Sequence, residues 1–533
     1  MSNTPAWHNS QKVWSFLLVV ASGVAYYTAL TSGFVLDDWP VIVENPAIRS
    51  LVNSSDFFTQ SVWSNTEEKS NNFIYRPLFL LTVAFNYQLW GLEPFGYHLT
   101  NLLLHCANAL LLLQVLRLLL PSAALPCLGF GTLLFALHPS HVESVNWISG
   151  VTDPQLSFAI LLCFYGYLRS DNRGWLLLSW TAFACALLAK EVAVTFPLVL
   201  LVIPLLRRQP INWLRWLPYA GLVGIYFVLR SQALGDSGTF ARFSIEQLPT
   251  LLGFAGHYLQ LLVIPWPSGY YYSPPSTPLS ITTGWVIIAI LCLLCWRAWR
   301  QANWQFLLGG IWFAATLAPA LALSLLDTPT FALRFLYLPS IGATIALVAW
   351  LQSFEPKRFA YPVMGVVSIV FGALCIQDGK NWANDKAFYS YALENSGDHP
   401  GPFIGLARTV ARDPEAIDLD QLLLLIEQQL LTAQQQRNLL EMIATDYGKR
   451  GQLELSRSVF GQLTGRFPDY AMGWLGLGNL AWLQGDLPGA MKHYLAAAQL
   501  QPNDPQICQN LRSAMQVARN QSHRTAYLTL CRP

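Results

Sequence analysis

Residues 97–120 read YHLTNLLLHCANALLLLQVLRLLL, with one Arg and no acid. At about 1.5 Å per residue a helix of that length reaches about 36 Å, enough to cross the roughly 30 Å hydrocarbon core of a bilayer. Lipid offers no hydrogen bonds, so a spanning stretch must satisfy its backbone internally as a helix. Working outward, similar apolar runs lie at 13–31, 122–138, 155–169, 174–190, 192–206, 213–230, 283–299, 304–325, 334–351 and 358–377. The expectation is an all-α, polytopic membrane protein with about eleven transmembrane helices. Composition agrees: of 533 residues 53% are hydrophobic and only 12% charged, with 20 Trp. A formal charge of +2 excludes a nucleic-acid partner, because tracking phosphates needs clustered Lys and Arg in excess.

The first run is followed by Leu36-Asp37-Asp38-Trp39 instead of a small-residue cleavage site, so it is expected to remain as an anchor. Lys12, Arg117, Arg169, Arg173, Arg207, Arg208, Arg215, Arg297, Arg300, Lys357 and Arg358 fall at alternate helix ends, which places those ends in the cytoplasm. Most acids gather on the other side, including Asp37, Asp38, Glu44, Glu143, Asp153, Glu191, Asp236, Glu246 and Asp327. The amino terminus is then inside and the tail outside. Pro77 to Trp90 and Leu248 to Ile264 would break this alternation if they crossed, so both are expected to lie along the outer membrane face.

Seven cysteines lie in apolar stretches as small hydrophobes, whereas Cys508 and Cys531 fall in the polar tail, where they could pair outside the cytoplasm. The membrane domain is expected over 1–377 and an extracytoplasmic helical domain over 378–533. In that tail Trp474, Leu477, Gly478, Ala481, Gly485, Ala490, Tyr494, Ala497 and Pro502 fit a tetratricopeptide repeat. Thirty-four residues earlier stand Leu440, Ile443, Ala444, Tyr447, Gly451, Ser456, Phe460, Leu463 and Pro468, giving repeats at 437–470 and 471–504. Residues 401–435 read as helical and as a degenerate further repeat.

Adjacent acids such as Asp37 and Asp38 are costly beside lipid and either stop the first helix or do chemistry. Glycosyl transfer is one chemistry that needs carboxylates: one takes a hydroxyl proton, another orients it or holds a metal. Phe34-Val35-Leu36-Asp37-Asp38-Trp39, continued through Ile42-Val43-Glu44-Asn45-Pro46 and Ile48-Arg49, resembles the first lumenal loop of the transmembrane and tetratricopeptide-repeat (TMTC) O-mannosyltransferases. Tyr75-Arg76-Pro77-Leu78, Pro94-Phe95-Gly96-Tyr97-His98, Leu137-His138-Pro139 with His141 and Glu143, Ala189-Lys190-Glu191 and Arg334-Phe335-Leu336-Tyr337-Leu338-Pro339-Ser340 resemble the same family in order. The resemblance covers about 30 to 345. One departure stands out, since the family usually has an acid before the arginine of the last motif, where this chain has Leu333.

The resemblance implies a GT-C glycosyltransferase fold with the tetratricopeptide tail as a docking module. It implies that one of Asp37 and Asp38 is the general base, with Asp38 preferred, and that transfer inverts the anomeric carbon. Arg76, Lys190 and Arg334 become candidates to bind the donor phosphate, against the plainer reading of each as a snorkelling anchor. Glu44 and Tyr337 fall within matching motifs as substrate-binding or structural residues. His138, His141 and Glu143 form a loop cluster that could hold a divalent metal (Mg or Mn), with substrate binding or loop structure preferred. Asp153 is read first as a helix N-cap. His98 and His105 are read as packing residues, and Tyr270, Tyr271 and Tyr272 with Trp266 as an interfacial belt.

The reaction implied is transfer of a hexose, mannose as first guess, from a polyprenyl-phosphate-linked sugar donor to Ser or Thr of a polypeptide acceptor. The setting is a bacterial inner membrane with the tail in the periplasm, or an endoplasmic-reticulum membrane with the tail in the lumen. A lipid or polysaccharide acceptor, a transporter and a non-catalytic scaffold are the competing readings.

Overall fold

The computed structural model describes residues 10–52, 54–66, 73–235, 248–265, 278–323, 331–352, 357–395, 400–413, 417–428, 431–517 and 524–531. Among them every regular element is helical. Two compact units emerge, Met1–Tyr391 and Ala392–Pro533.

In the first unit the helices are α1 (Gln11–Ala25), α2 (Pro77–Trp90), α3 (Pro94–Leu119), α4 (Leu125–Ala136), α5 (Val142–Asn146), α6 (Thr152–Leu168), α7 (Arg173–Ala189), α8 (Phe196–Leu206), α9 (Trp213–Leu234), α10 (Leu248–Val263), α11 (Pro278–Arg300), α12 (Trp304–Leu323), α13 (Tyr337–Leu351) and α14 (Lys357–Gly379). Each apolar run of the sequence is one of them. Among the described residues six are long and apolar enough to cross a membrane, and α1, α4, α7, α8 and α10 are shorter apolar helices. The chain thus reads as a multi-pass membrane protein.

Proline marks several starts, at the first or second position of α2, α3, α4 and α8, where no N–H is needed. α12 and α13 pack so tightly that a Cβ on Gly309 would sit 2.4 Å from the Gly342 carbonyl oxygen. Only glycine lets two backbones meet that way. α3 is buried along much of its length, and its polar residues find partners: His105 bonds the Tyr337 hydroxyl at 2.7 Å and the Ala136 carbonyl at 2.8 Å. His98 and His105 are packing residues, as their helical spacing implied.

α2 does not pack alone. Val41, Ile42, Ile48, Phe57, Val62 and Trp63 of the preceding loop form one buried cluster with its Phe79, Leu80, Val83 and Ala84. Each such side chain contributes about 1.5–3 kcal/mol on burial, so the loop after α1 has a core of its own.

The second unit comprises α16 (Gly401–Arg412), α17 (Leu419–Gln428), α18 (Ala433–Lys449), α19 (Leu453–Arg466), α20 (Ala471–Leu483), α21 (Leu487–Leu500), α22 (Pro505–Val517) and α23 (Arg524–Leu530), after α15 (Asp385–Asn395). α18–α19 and α20–α21 are the two repeats. Gly451 and Gly485, 34 residues apart, close the first helix of each pair with φ of 75° and 77°, a left-handed turn that glycine takes without strain. Within the second pair a Cβ on Gly478 would fall 2.5 Å from the Tyr494 ring, which explains the small residue there. Cys508 and Cys531 form a disulfide with Cα atoms 5.6 Å apart, fastening α23 to α22.

Candidate active site

After α1 a 3-10 turn, Tyr27–Thr31, leads to Gly33, whose N–H donates to the Ala383 carbonyl at 2.8 Å. Leu36 then takes φ of 55°, in the left-handed region that a non-glycine residue occupies only at a cost of order 1–3 kcal/mol. Its N–H donates to Asp385 Oδ1 at 3.1 Å. The turn delivers Asp37 and Asp38 into different environments. Asp37 is half-buried, while Asp38 has no exposed surface.

Both oxygens of Asp38 are engaged. Oδ2 accepts from the Val35 N–H at 3.1 Å, and Oδ1 from the Ser149 N–H at 2.9 Å and hydroxyl at 2.6 Å. Burial pushes this carboxyl up to about 7 although those three bonds pull the other way. Asp38 is thus sealed against its loop partners, whereas Asp37 keeps part of its surface exposed.

The three candidate cations each have an acid of their own. Arg76 clasps Glu191 with Nε at 3.0 Å and NH2 at 2.6 Å. Lys190 Nζ donates to both oxygens of Asp153, at 2.7 and 2.8 Å, with both side chains almost wholly buried. Arg334 pairs with Glu143 through its guanidinium, and its backbone N–H donates to the second carboxylate oxygen at 3.0 Å. Arg334 thus has a carboxylate partner although position 333 is Leu. The Phe335 ring lies 5.4 Å from Lys190 Nζ and 5.1 Å from the Arg334 guanidinium carbon, so these two cations share one aromatic neighbour. A buried ion pair brings little net stability, yet breaking one leaves a costly lone charge.

The expectation for Asp153 needs correction, and the structure places the other candidates as follows. Asp153 is not an N-cap: α6 starts at Thr152 with Val151 as its cap, and Asp153 serves Lys190. Nor do His138, His141 and Glu143 converge on a metal. His138 Nε2 meets the Leu262 carbonyl at 2.8 Å, so it donates, and Nδ1 accepts from the Ser140 N–H at 3.2 Å. His141 Nε2 bonds Ser340 Oγ at 3.0 Å, and Glu143 is committed to Arg334. Among the described residues no three His, Cys, Asp or Glu are grouped to hold a metal ion, so these donors do not fit Mg or Mn. Tyr337 is buried with its hydroxyl on His105 and Asn108, a core residue. Glu44 is exposed at the end of a π-turn over Trp39–Val43, apart from the charge pairs. Trp266, Tyr270, Tyr271, Tyr272, Asp236, Glu246 and Asp327 lie outside the described residues.

One short segment, 143–153, ties the arrangement together. Glu143 holds Arg334, Trp147 lies 5.3 Å beneath the Arg334 guanidinium carbon, Ser149 holds Asp38 and Asp153 holds Lys190. Ser149, Trp147 and the partner role of Glu191 escaped the reading of the sequence. Serine and tryptophan in a loop carry no spacing signal, although Lys190-Glu191 beside Arg76 offered the elements of a charge pair.

Comparison with known proteins finds similarity to one repeat family, to a solved structure and to named relatives. The Tetratricopeptide repeat family matches residues 441–505. ArnT from Cupriavidus metallidurans bound to undecaprenyl phosphate aligns with a TM-score of 0.45 and 17% identity, over 88% of this chain and 81% of that one. Protein O-mannosyl-transferase Tmtc3 of Drosophila melanogaster is 34% identical over 207 residues, covering 33% of this chain and 22% of the fly protein. Human Protein O-mannosyl-transferase TMTC1 is 36% identical over 200 residues, covering 34% of this chain and 22% of its own length. The chain thus spans about a fifth of the curated relatives it matches. Over a third of its own length, it is similar to the TMTC protein O-mannosyl-transferases.

Proposed function

We propose that the first unit is a GT-C glycosyltransferase that moves a hexose, mannose as first choice, from a polyprenyl-phosphate donor to a Ser or Thr hydroxyl. The observation that carries this reading is segment 143–153, which holds an acid of the dyad and two of three cations at one place. Similarity to proteins named O-mannosyl-transferases supports the sugar and the acceptor.

Asp37 takes the acceptor proton as the hydroxyl oxygen bonds to the anomeric carbon. The bond from that carbon to the phosphate oxygen breaks on the opposite face, inverting configuration, and the electron pair leaves with polyprenyl phosphate. The departing phosphodiester becomes a monoester and gains a negative charge. Arg334, Lys190 and Arg76, oriented by their carboxylates, stabilise that charge in a site of low dielectric. Asp38 does not touch substrate: bound to Ser149 and Val35, it is a positioning residue that fixes its neighbour.

The dyad faces the periplasm or the endoplasmic-reticulum lumen, and the repeat unit docks a polypeptide there; the disulfide supports an oxidising compartment. The deciding experiment is transfer from a polyprenyl-phosphate hexose to secreted proteins by membranes bearing the parent or Asp37→Asn, read by mass spectrometry. A hexose-sized mass that depends on Asp37 is expected. A hexose on lipid or polysaccharide instead would replace the acceptor, and an unchanged pattern would leave a scaffold.

A further inference from the structure

At the opposite end of α3 and α6 from the charge pairs lies a half-open cavity of about 430 Å³, a volume typical of ligand pockets. It is bounded by the last turn of α3, the turn into α4 and the last turn of α6, with Gln114, Arg117, Leu118, Leu128, Tyr165 and Arg169 among its lining residues. From His98, beside the Gly33 carbonyl, to Arg117 is 19 residues of one helix, a rise of about 28 Å. Nothing assigned to sugar transfer reaches this far.

Two guanidiniums line one cavity, and among the described residues neither has a carboxylate within ion-pair distance. Arg117 is held by the neutral side chains of Gln11 and Gln114. Arg169 lies over the Tyr165 and Trp175 rings, 4.9 and 5.2 Å from their centroids, which orients it without neutralising it. The nearest acid along the chain, Asp171, pairs with Arg215 at 3.6 Å. The contrast with Arg76, Lys190 and Arg334, each of which carries its own acid, is complete. Like charges facing one space repel, and a planar guanidinium fork matches a phosphate's oxygens. Leu118, Leu120, Leu125 and Leu128 add an apolar side to the same space.

We propose that this cavity binds a phosphate anion, with Arg117 and Arg169 as its cationic ligands. An anionic phospholipid is the source that uses both walls, its headgroup on the arginines and its chains on the leucines. The proposal stands independently of the reaction assigned to the other end.

The test is native mass spectrometry of the full chain released from detergent, with phosphatidylglycerol, phosphatidylcholine or inorganic phosphate added. A phosphatidylglycerol adduct is expected that Arg117→Gln/Arg169→Gln weakens about tenfold or more, while Arg207→Gln/Arg208→Gln, which removes equal charge elsewhere, changes it less than about twofold. Arg117→Lys/Arg169→Lys, keeping both charges but not the fork, covers the case in which the Gln pair does not fold and should keep a phosphatidylglycerol adduct weaker than the parent's. Displacement of the lipid by inorganic phosphate would identify the bare anion as sufficient, and failure to displace it would identify the intact lipid; both outcomes support the site. Equal adducts with phosphatidylcholine, or equal loss in both Gln double variants, would overturn it.

Discussion

Ser149 donates twice to one oxygen of Asp38, from its backbone amide at 2.9 Å and from its hydroxyl at 2.6 Å. Asp38 has no exposed surface, so loss of the hydroxyl leaves its buried carboxyl one donor short. Ser149→Ala should cost about 1.5–3 kcal/mol of stability, the range for hydrogen bonds to charged groups, measured by thermal unfolding in detergent. It should also lower kcat while leaving KM for the lipid donor unchanged, because the hydroxyl acts through the dyad and touches no phosphate.

The two acids should behave differently. Asp37→Asn is expected to cut transfer by about a hundredfold or more, the span of a lost general base, without unfolding the protein. Asp38→Asn should lower both stability and rate, since an amide cannot accept from Ser149 and Val35 as a carboxylate does. Equal activity in Asp37→Asn and the parent would remove Asp37 from the reaction.

Burial raises the Asp38 carboxyl from 3.8 to about 7. Between those values the native chain holds a proton that the unfolded chain has released, so stability falls as pH rises through that window. The melting temperature of the parent, taken relative to Asp38→Asn, should therefore decline from pH about 4 to about 7 and level off above it. Parallel melting curves for the two proteins would contradict the burial of this group.

Lys190 and Asp153 offer a double-mutant test. Lys190→Met or Asp153→Leu alone leaves one buried charge unpaired and should destabilise by about 3–5 kcal/mol. The double variant should recover much of that loss by unfolding assays yet remain inactive, because stability needs the charges matched whereas the proposed reaction needs the cation for the donor phosphate. Activity in the double variant would reduce the pair to a packing role.

In the repeat unit, Cys508→Ser/Cys531→Ser opens a loop with a sequence separation of 23. Chain-entropy reasoning puts the loss at about 3 kcal/mol, confined to the unfolding of that unit. Reduction of the parent should give the same shift in its melting transition.

Helices were legible where solvent alone dictates them. The apolar runs became helices because lipid permits little else, and the glycines at 451 and 485 marked their turns because only a left-handed residue closes them cheaply. Asp37, Asp38, Arg76, Lys190 and Arg334 could be named, but not how they are paired. Which acid meets which cation is set by the packing of segments far apart in the chain, 115 residues for Arg76 with Glu191 and 191 for Arg334 with Glu143. Asp153 looked like a cap because its neighbours along the chain suggested one. Its real partner comes from the end of α7.

The bonds from Leu36 to Asp385 and from Gly33 to Ala383 join stretches separated by about 350 residues. At roughly 5–20 residues per second, a ribosome needs on the order of 20–70 seconds between making the two sides of that latch. During this interval the earliest loop is already inserted but cannot be fastened, and a nascent chain cut short after α14 would never fasten it. Fastening of the first loop is thus tied to translation of the few residues that follow the last long apolar helix.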